Sequence, residues 1–251
     1  MKVLLFDIET TPNVTYAWRP NQRFIPKEMH VRPGYMLGWA ARWHGQRHTS
    51  SMFLDGPHAR KGEDAKVVAG LLEMVSKADA IVAHNLKGFD LPYLRSRCIY
   101  HGFDPVPPVT LIDTLELSRK TFNLPYHNLD YLATYLEVDA KKHKVDFDLW
   151  IGCMEGDGAA IAKMKRYCRQ DVLVLERVYD RLFPHIRNLP RLADAQHDNQ
   201  MACPYCSSSN MQKRGVRRTN VSTFQRWQCN DCRRYSRSRK SNPDKLGVAP
   251  T

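Results

Sequence analysis

The sequence predicts an α/β fold, a mixed five-stranded sheet with helices on both faces, followed by a small C-terminal module built around four cysteines and one zinc ion. Three observations predict it. An apolar strand opens the chain at Val3 to Ile8, and two further strand-like runs follow before any long helical pattern. Strand and helix patterns then alternate in βαβ fashion, which implies a mixed sheet with helices packed on its faces. Last, Cys203, Cys206, Cys229 and Cys232 form two Cys-x2-Cys pairs separated by 22 residues. In a reducing compartment that spacing reads as a tetrahedral zinc site, because each two-residue knuckle aims both thiolates at one ion.

Val3 to Ile8 reads as a buried strand, with Tyr35 to Trp43 and His48 to Leu54 as its candidate partners. Between them, Thr11 to Gly34 holds four prolines with Trp18, Phe24 and His30, and is too long for an ordinary connection; it covers or lines a site. Asp64 to Lys77 has helical spacing at Val67, Val68, Leu71, Leu72 and Val75. Ala80 to Ala83 is a short strand, Leu91 to Tyr100 a helix, and Val109 to Ile112 the fifth strand. Helices follow near Leu115 to Thr121 and Leu129 to Leu136, and a long final one runs from about Gly158 to Leu182. The domains expected are 1–187 for the α/β body, 188–201 for a polar linker, 202–237 for the cysteine module and 238–251 for a basic, disordered tail.

The chain has 251 residues, a formal net charge of +12 and 43% apolar residues, enough apolar content to exclude a disordered tail protein or a disulfide-stapled miniature scaffold. No apolar run approaches the roughly 20 residues that span a bilayer, and Asp7 arrives too early for a signal peptide. A cytoplasmic protein with no membrane partner is expected. Residues 201–251 carry 11 Lys and Arg against Asp231 and Asp244 alone. Such concentration points to a polyanion, most often nucleic acid, although a solubilising tail has the same composition.

Three acidic motifs carry the chemistry. In Phe6-Asp7-Ile8-Glu9-Thr10 the two carboxylates share a strand face, and their repulsion is one that a divalent cation would relieve. Asp90, in His84-Asn85-Leu86-Lys87-Gly88-Phe89-Asp90-Leu91-Pro92-Tyr93-Leu94, reads by itself as the N-cap of the following helix. In Tyr167-Cys168-Arg169-Gln170-Asp171, Tyr167 and Asp171 lie one turn apart on one helix face. Asp113, at a strand end, reads as a cap for the next helix. Taken singly, each has an ordinary structural explanation.

In this order, however, the three motifs closely resemble those of the DEDD 3'-5' exonucleases, which have a ribonuclease H-like fold, and most of all the proofreading exonuclease domain of family B DNA polymerases. The resemblance covers residues 1 to about 185. Arg166 stands where one branch of the family has a histidine, and Tyr167 fits the tyrosine-type branch. It implies that Asp7, Glu9, Asp90 and Asp171 hold two Mg2+ or Mn2+ ions around the scissile phosphate, with Asp7 bridging, Glu9 and Asp171 on the nucleophile side and Asp90 on the other. It also implies that Tyr167 orients the attacking water. Thr10 and Asn85 become candidate contacts to the terminal nucleotide, and Phe89 reads as core or as a stacking platform. Trp18, with Tyr16 and Phe24, either stacks on a single-stranded 3' end or anchors its loop.

The C-terminal module resembles the zinc ribbons of transposase-associated DNA-binding proteins, with zinc supplying folding energy that so small a core lacks. Arg214, Arg217, Arg218, Arg226, Arg233 and Arg234 are its candidate phosphate contacts. Together these resemblances imply a 3'-5' exonuclease acting on nucleic acid, DNA favoured over RNA, in replication, repair or recombination. A replication or recombination protein is a further candidate partner, and a bacterial or phage-infected cell the expected setting. A structure-specific endonuclease on the same fold, and a DNA-binding regulatory or recombination accessory protein, are the alternatives.

Overall fold

The apolar run that opens the chain becomes the central strand, β1 (Val3–Thr10). Val3, Leu4, Leu5, Phe6 and Ile8 are all buried, as expected where both faces of a strand are covered. An arm follows, bearing the short strands β2 (Val14–Thr15) and β3 (His30–Arg32), which pair only with each other. Next come β4 (Met36–Trp43) and β5 (Thr49–Phe53); β4 runs antiparallel to both β1 and β5. Two later strands, β6 (Ala80–Ala83) and β7 (Thr110–Asp113), add on the other side in parallel, giving the order β5-β4-β1-β6-β7. This is the mixed five-stranded sheet expected. The computed structural model describes residues 2–138, 145–186, 202–219 and 221–241. Contacts divide the chain into two units, Lys2–Tyr179 and Asp180–Thr251. The expected linker at 188–201, and residues 242–251 of the expected tail, lie outside the described residues.

One face of β1 presents Leu4, Phe6 and Ile8 to an apolar cluster. α1 (Gly56–Lys61) is short, capped by Asp55 and closed by Gly62 in the left-handed region. The cluster draws Val67, Val68, Leu71 and Val75 from α2 (Ala65–Ser76) and Leu91, Leu94 and Cys98 from α3 (Leu91–His101). Each fully buried aliphatic or aromatic side chain contributes roughly 1.5–3 kcal/mol. A one-residue slip of β1 would exchange these side chains for Asp7 and Glu9, so packing alone fixes which face carries the carboxylates.

Beneath this face lies a buried ion network. Asp64, fully buried, accepts from Arg97 Nε and Nη2 at 2.8 and 2.5 Å, and from the Met36 backbone N–H at 2.8 Å. His101 Nε2 lies 2.6 Å from the same carboxylate. Asp64 occupies the N-cap position of α2, yet makes no capping bond there because its side chain turns inward. Asp64→Ala is expected to cost about 3–5 kcal/mol in chemical denaturation, since it strands the Arg97 charge in the interior. A loss below about 1 kcal/mol would mean that Arg97 escapes to solvent.

Four further helices complete the body: α4 (Thr114–Thr121), α5 (Leu129–Tyr135), α6 (Phe147–Met154) and α7 (Gly158–Leu182). α7 crosses the sheet face opposite the cluster. Glu176 pairs with Arg42 at 2.5 Å and accepts the Gly45 N–H at 3.0 Å, while Arg169 reaches Ser51. In the second unit, β8 (Met211–Arg218), β9 (Thr223–Cys229) and β10 (Tyr235–Arg237) form an antiparallel sheet in the order β10-β9-β8. Among the described residues no helix is long and apolar enough to cross a membrane.

Candidate active site

Parallel pairing of β1 with β6 ends at Leu5 and Val82, so the two strands part at their C-terminal ends. The space outside the carboxyl ends of parallel strands is where α/β sheets take ligands. Asp7 and Glu9 lie on β1 just beyond that point. Opposite Glu9 in the ladder is Gly38, where a Cβ would fall 2.3 Å from the Phe53 ring; glycine therefore lets Phe53 close over the strand beside the carboxylates.

Asp90 reaches the same place from the turn after β6. The backbone N–H of Ile8, beyond the last residue paired with β6, favours its charged form. That turn is π-helical, Leu86–Asp90, and is entered through Asn85 at φ 75°. Asp113 secures it, accepting from the N–H groups of Asn85 and Lys87 at 3.2 and 2.9 Å while capping α4 through Leu115 and Glu116 at 3.0 and 3.2 Å. Asp113 thus caps as its sequence context suggests. Asp90, which taken singly reads as the N-cap of α3, makes no capping bond.

From the other side α7 brings Tyr167 and Asp171, four residues apart on one face, close enough for the Asp171 charge to act on the Tyr167 hydroxyl. Cys168, between them, was not singled out in the sequence. It is wholly buried beneath β1, its Sγ 3.5 Å from the Asp7 carbonyl oxygen and 3.6 Å from Oδ2. Burial, followed by Asp7 and Glu9, pushes the Cys168 thiol far up, so it remains an S–H donor to Asp7.

Glu9, Asp90 and Asp171 are 7%, 2% and 7% exposed, and Asp7 is half-buried. Burial pushes Glu9 up to about 8, with Asp171 and Asp90 adding to the shift. Asp90 is pushed up to about 7, again by burial first, and the Ile8 N–H works in the opposite direction. Asp7 is driven well above the usual carboxylate range by burial and then by Glu9, Asp90 and Asp171. Asp7 and Glu9 offer oxygens within 4.8 Å of each other and of the Cys168 thiol, and Asp90 and Asp171 add their charge to the same site. Such a carboxylate set, with Asp7, Glu9 and Asp90 pushed up by burial first and by neighbouring charges second, fits hard divalent cations of the Mg2+ or Mn2+ kind.

The remaining expected contacts are placed less uniformly. Thr10, half-buried, follows Glu9 where the β1–β4 register shifts. Phe89 is 40% exposed, against the core placement considered for it. Trp18 is 86% exposed, and Tyr16 and Phe24 are likewise exposed, so none of them anchors the arm. The arm is fastened instead at its root, where Thr11 N–H donates to the Tyr35 carbonyl at 2.9 Å and Tyr35 N–H to Thr11 Oγ1 at 3.0 Å.

In the second unit the Sγ atoms of Cys203, Cys206, Cys229 and Cys232 all lie within 4.8 Å of one another, with Cys203–Cys232 at 3.6 Å and Cys206–Cys229 at 3.7 Å. A tetrahedron with Zn–S bonds of about 2.3 Å has edges of about 3.8 Å, so the four thiols fit one zinc ion. Each knuckle turns through a residue of positive φ, Ser207 at 64° and Arg233 at 62°. Arg214, Arg217, Arg218, Arg226 and Arg233 are exposed. Arg234, grouped with them by sequence, is not: it is 3% exposed, donates to the carbonyls of Phe183 and Ile186 at 2.9 and 2.5 Å, and lies over the Phe183 and Tyr205 rings. Its guanidinium is committed to the unit's own interior, so Arg234 is not a phosphate contact.

Sheet order, helix placement and the carboxylate cluster together define an RNase H-like nuclease scaffold. The family model of the RNase_H superfamily matches residues 33–183, and the chain belongs to that superfamily. The match takes in Asp90, Tyr167 and Asp171; β1, with Asp7 and Glu9, precedes it. Among solved structures, the family B DNA polymerase from the hyperthermophilic archaeon Pyrobaculum calidifontis is similar, with a TM-score of 0.54 and 21% identity over 73% of this chain and 24% of the polymerase. At that identity the likeness is one of fold, and this chain spans about a quarter of the polymerase's length. No curated protein matches the sequence.

Proposed function

We propose that the chain is a metal-dependent 3'-5' exonuclease that removes nucleotides from nucleic acid, DNA in preference to RNA, with the zinc ribbon holding the substrate. The observation that carries this is the convergence of Asp7, Glu9, Asp90 and Asp171, three of them held well above the ordinary carboxylate range, with Tyr167 one helical turn from Asp171. Those four side chains would hold the divalent cations. Bound there, the cations supply Lewis acidity toward water and phosphate and neutralise charge on the leaving oxygen.

The chain's own groups do the positioning. Burial and the adjacent Asp171 push the Tyr167 hydroxyl well above the usual tyrosine range. It therefore keeps its proton and orients the attacking water by hydrogen bonding rather than acting as a base. Cys168 fixes the Asp7 carboxylate from below, and Asn85, Phe89 and Thr10 at the rim would meet the terminal nucleotide. The exposed aromatics of the arm suit stacking on unpaired bases. Removal of 3'-terminal nucleotides serves replication, repair and recombination alike.

A digestion series tests the assignment, using 5'-end-labelled single-stranded DNA, duplex DNA and RNA with and without Mg2+. The expected product is a Mg2+-dependent ladder shortening from the 3' end one nucleotide at a time, strongest on DNA. Internal cuts would replace the exonuclease with a structure-specific endonuclease. Absence of cleavage on all three, with DNA binding retained, would leave the accessory DNA-binding alternative.

A further inference from the structure

Strand pairing in the ribbon gathers its arginines by face. Arg237 lies opposite Arg226, and Arg217 opposite Phe224, two residues before Arg226 on the same strand. Side chains two apart share a face, so Arg217, Arg226 and Arg237 stand together, and Tyr235 joins them two residues before Arg237. Like charges directly opposite on neighbouring strands destabilise a sheet. Among the described residues of the ribbon the only carboxylate is Asp231, and it is taken by Ser208 and Asn210.

These side chains also line a single open cavity of about 510 Å3, together with Tyr205 and Arg239, a size within the usual range of ligand sites. Two of the guanidiniums are held in place. Arg226 Nε donates to the Arg214 carbonyl at 2.7 Å, and Arg237 rests 4.0 Å over the Phe224 ring. Tyr235 is 52% exposed. The opposite face differs in kind: Lys213 lies over Trp227 there, and Arg218 opposite Thr223.

Resting on the reading of the ribbon as a nucleic-acid module, we propose that this one face is the binding site. It takes single-stranded nucleic acid, with Arg217, Arg226 and Arg237 on backbone phosphates and Tyr235 stacked on an unpaired base. An anionic backbone relieves the repulsion built into the arginine ladder, and stacking on tyrosine requires a base that is not paired. Arg218 and Arg233 lie outside the site.

The test is binding of a labelled single-stranded oligonucleotide to the full chain without Mg2+, measured across a series of salt concentrations. Arg217→Ala and Arg237→Ala should each flatten the slope of log affinity against log salt by about 0.7. Arg218→Ala and Arg233→Asn should leave it unchanged, asparagine being chosen because position 233 has positive φ. Tyr235→Ala should weaken binding about tenfold at every salt concentration with its slope intact, and should not affect a duplex of equal length. Equal flattening by all four arginine variants would overturn the chosen face while leaving the ribbon a nucleic-acid module. No change in any of the four would overturn both. Equal loss on duplex and single strand for Tyr235→Ala would overturn the stacking mode.

Discussion

Asp7→Asn is expected to reduce Mg2+-dependent nucleotide release by roughly 10³-fold or more, the scale on which single groups facing developing charge act. Asparagine keeps the shape of the side chain and can still accept the Cys168 S–H, so the packing of α7 against β1 is preserved. What it removes is a carboxylate that interacts with Glu9, Asp90 and Asp171 together. Asp171→Asn should behave alike, because it also removes the charge that acts on the Tyr167 hydroxyl. Tyr167→Phe makes the contrast. Loss of the hydroxyl should slow release by about 10²-fold, near the lower end for a positioned proton-handling group. It should leave the Mg2+ concentration for half-maximal thermal stabilisation unchanged, whereas Asp7→Asn should raise it. Full activity in Asp7→Asn would sink the assignment, and a shifted Mg2+ midpoint in Tyr167→Phe would make the tyrosine part of the metal-holding set.

What could be read from the chain follows the range of the interactions concerned. Asp7 and Glu9 were legible as a pair because strand periodicity is local: the apolar partners Phe6 and Ile8 announce the buried face, and the carboxylates take the other. α7 was legible from Gly158 to Leu182 for the same reason, its apolar positions repeating over many turns. Asp113 declared itself a cap through the helix directly after it. The site role of Asp90 was not local in this way, since it meets Glu9 on a strand some 80 positions earlier, and only the joint order of three motifs pointed beyond a cap. Asp64 was invisible likewise; its partners Met36, Arg97 and His101 come from β4 and α3. Short elements were missed where apolar periodicity has no room to show, as in α1, α6 and the β2–β3 arm. Arg234 was misplaced because a charge count cannot separate an arginine facing solvent from one bonded to buried carbonyls.

In Mg2+-free buffer the body should lose stability as pH rises from about 5 to 8, and Asp90→Asn should be more stable than the parent chain at the upper end. Glu9 moves from an ordinary value of 4.5 to about 8, and Asp90 from 3.8 to about 7. Over the intervening range the folded chain holds protons that the unfolded chain has released. Stability from these groups is therefore complete below the unfolded values and is lost as pH climbs through the folded ones. One pKa unit corresponds to about 1.4 kcal/mol, so a partial contribution from each group amounts to a few kcal/mol, or a fall of about 5–10 °C in Tm for a body of this size. Mg2+ should restore most of that loss at pH 8 and little at pH 5, because cations compete with the protons for the same oxygens. Asp90→Asn removes a charge that raises Glu9 while keeping the shape of the buried side chain. Its Tm without Mg2+ should vary less with pH, and its gain from Mg2+ should shrink, even as nucleotide release is lost. A parent Tm that is flat from pH 5 to 8 without Mg2+, or an Asp90→Asn variant less stable than the parent at pH 8, would show that the buried carboxylates do not strain the fold and that relief of that strain is not what draws the cations in.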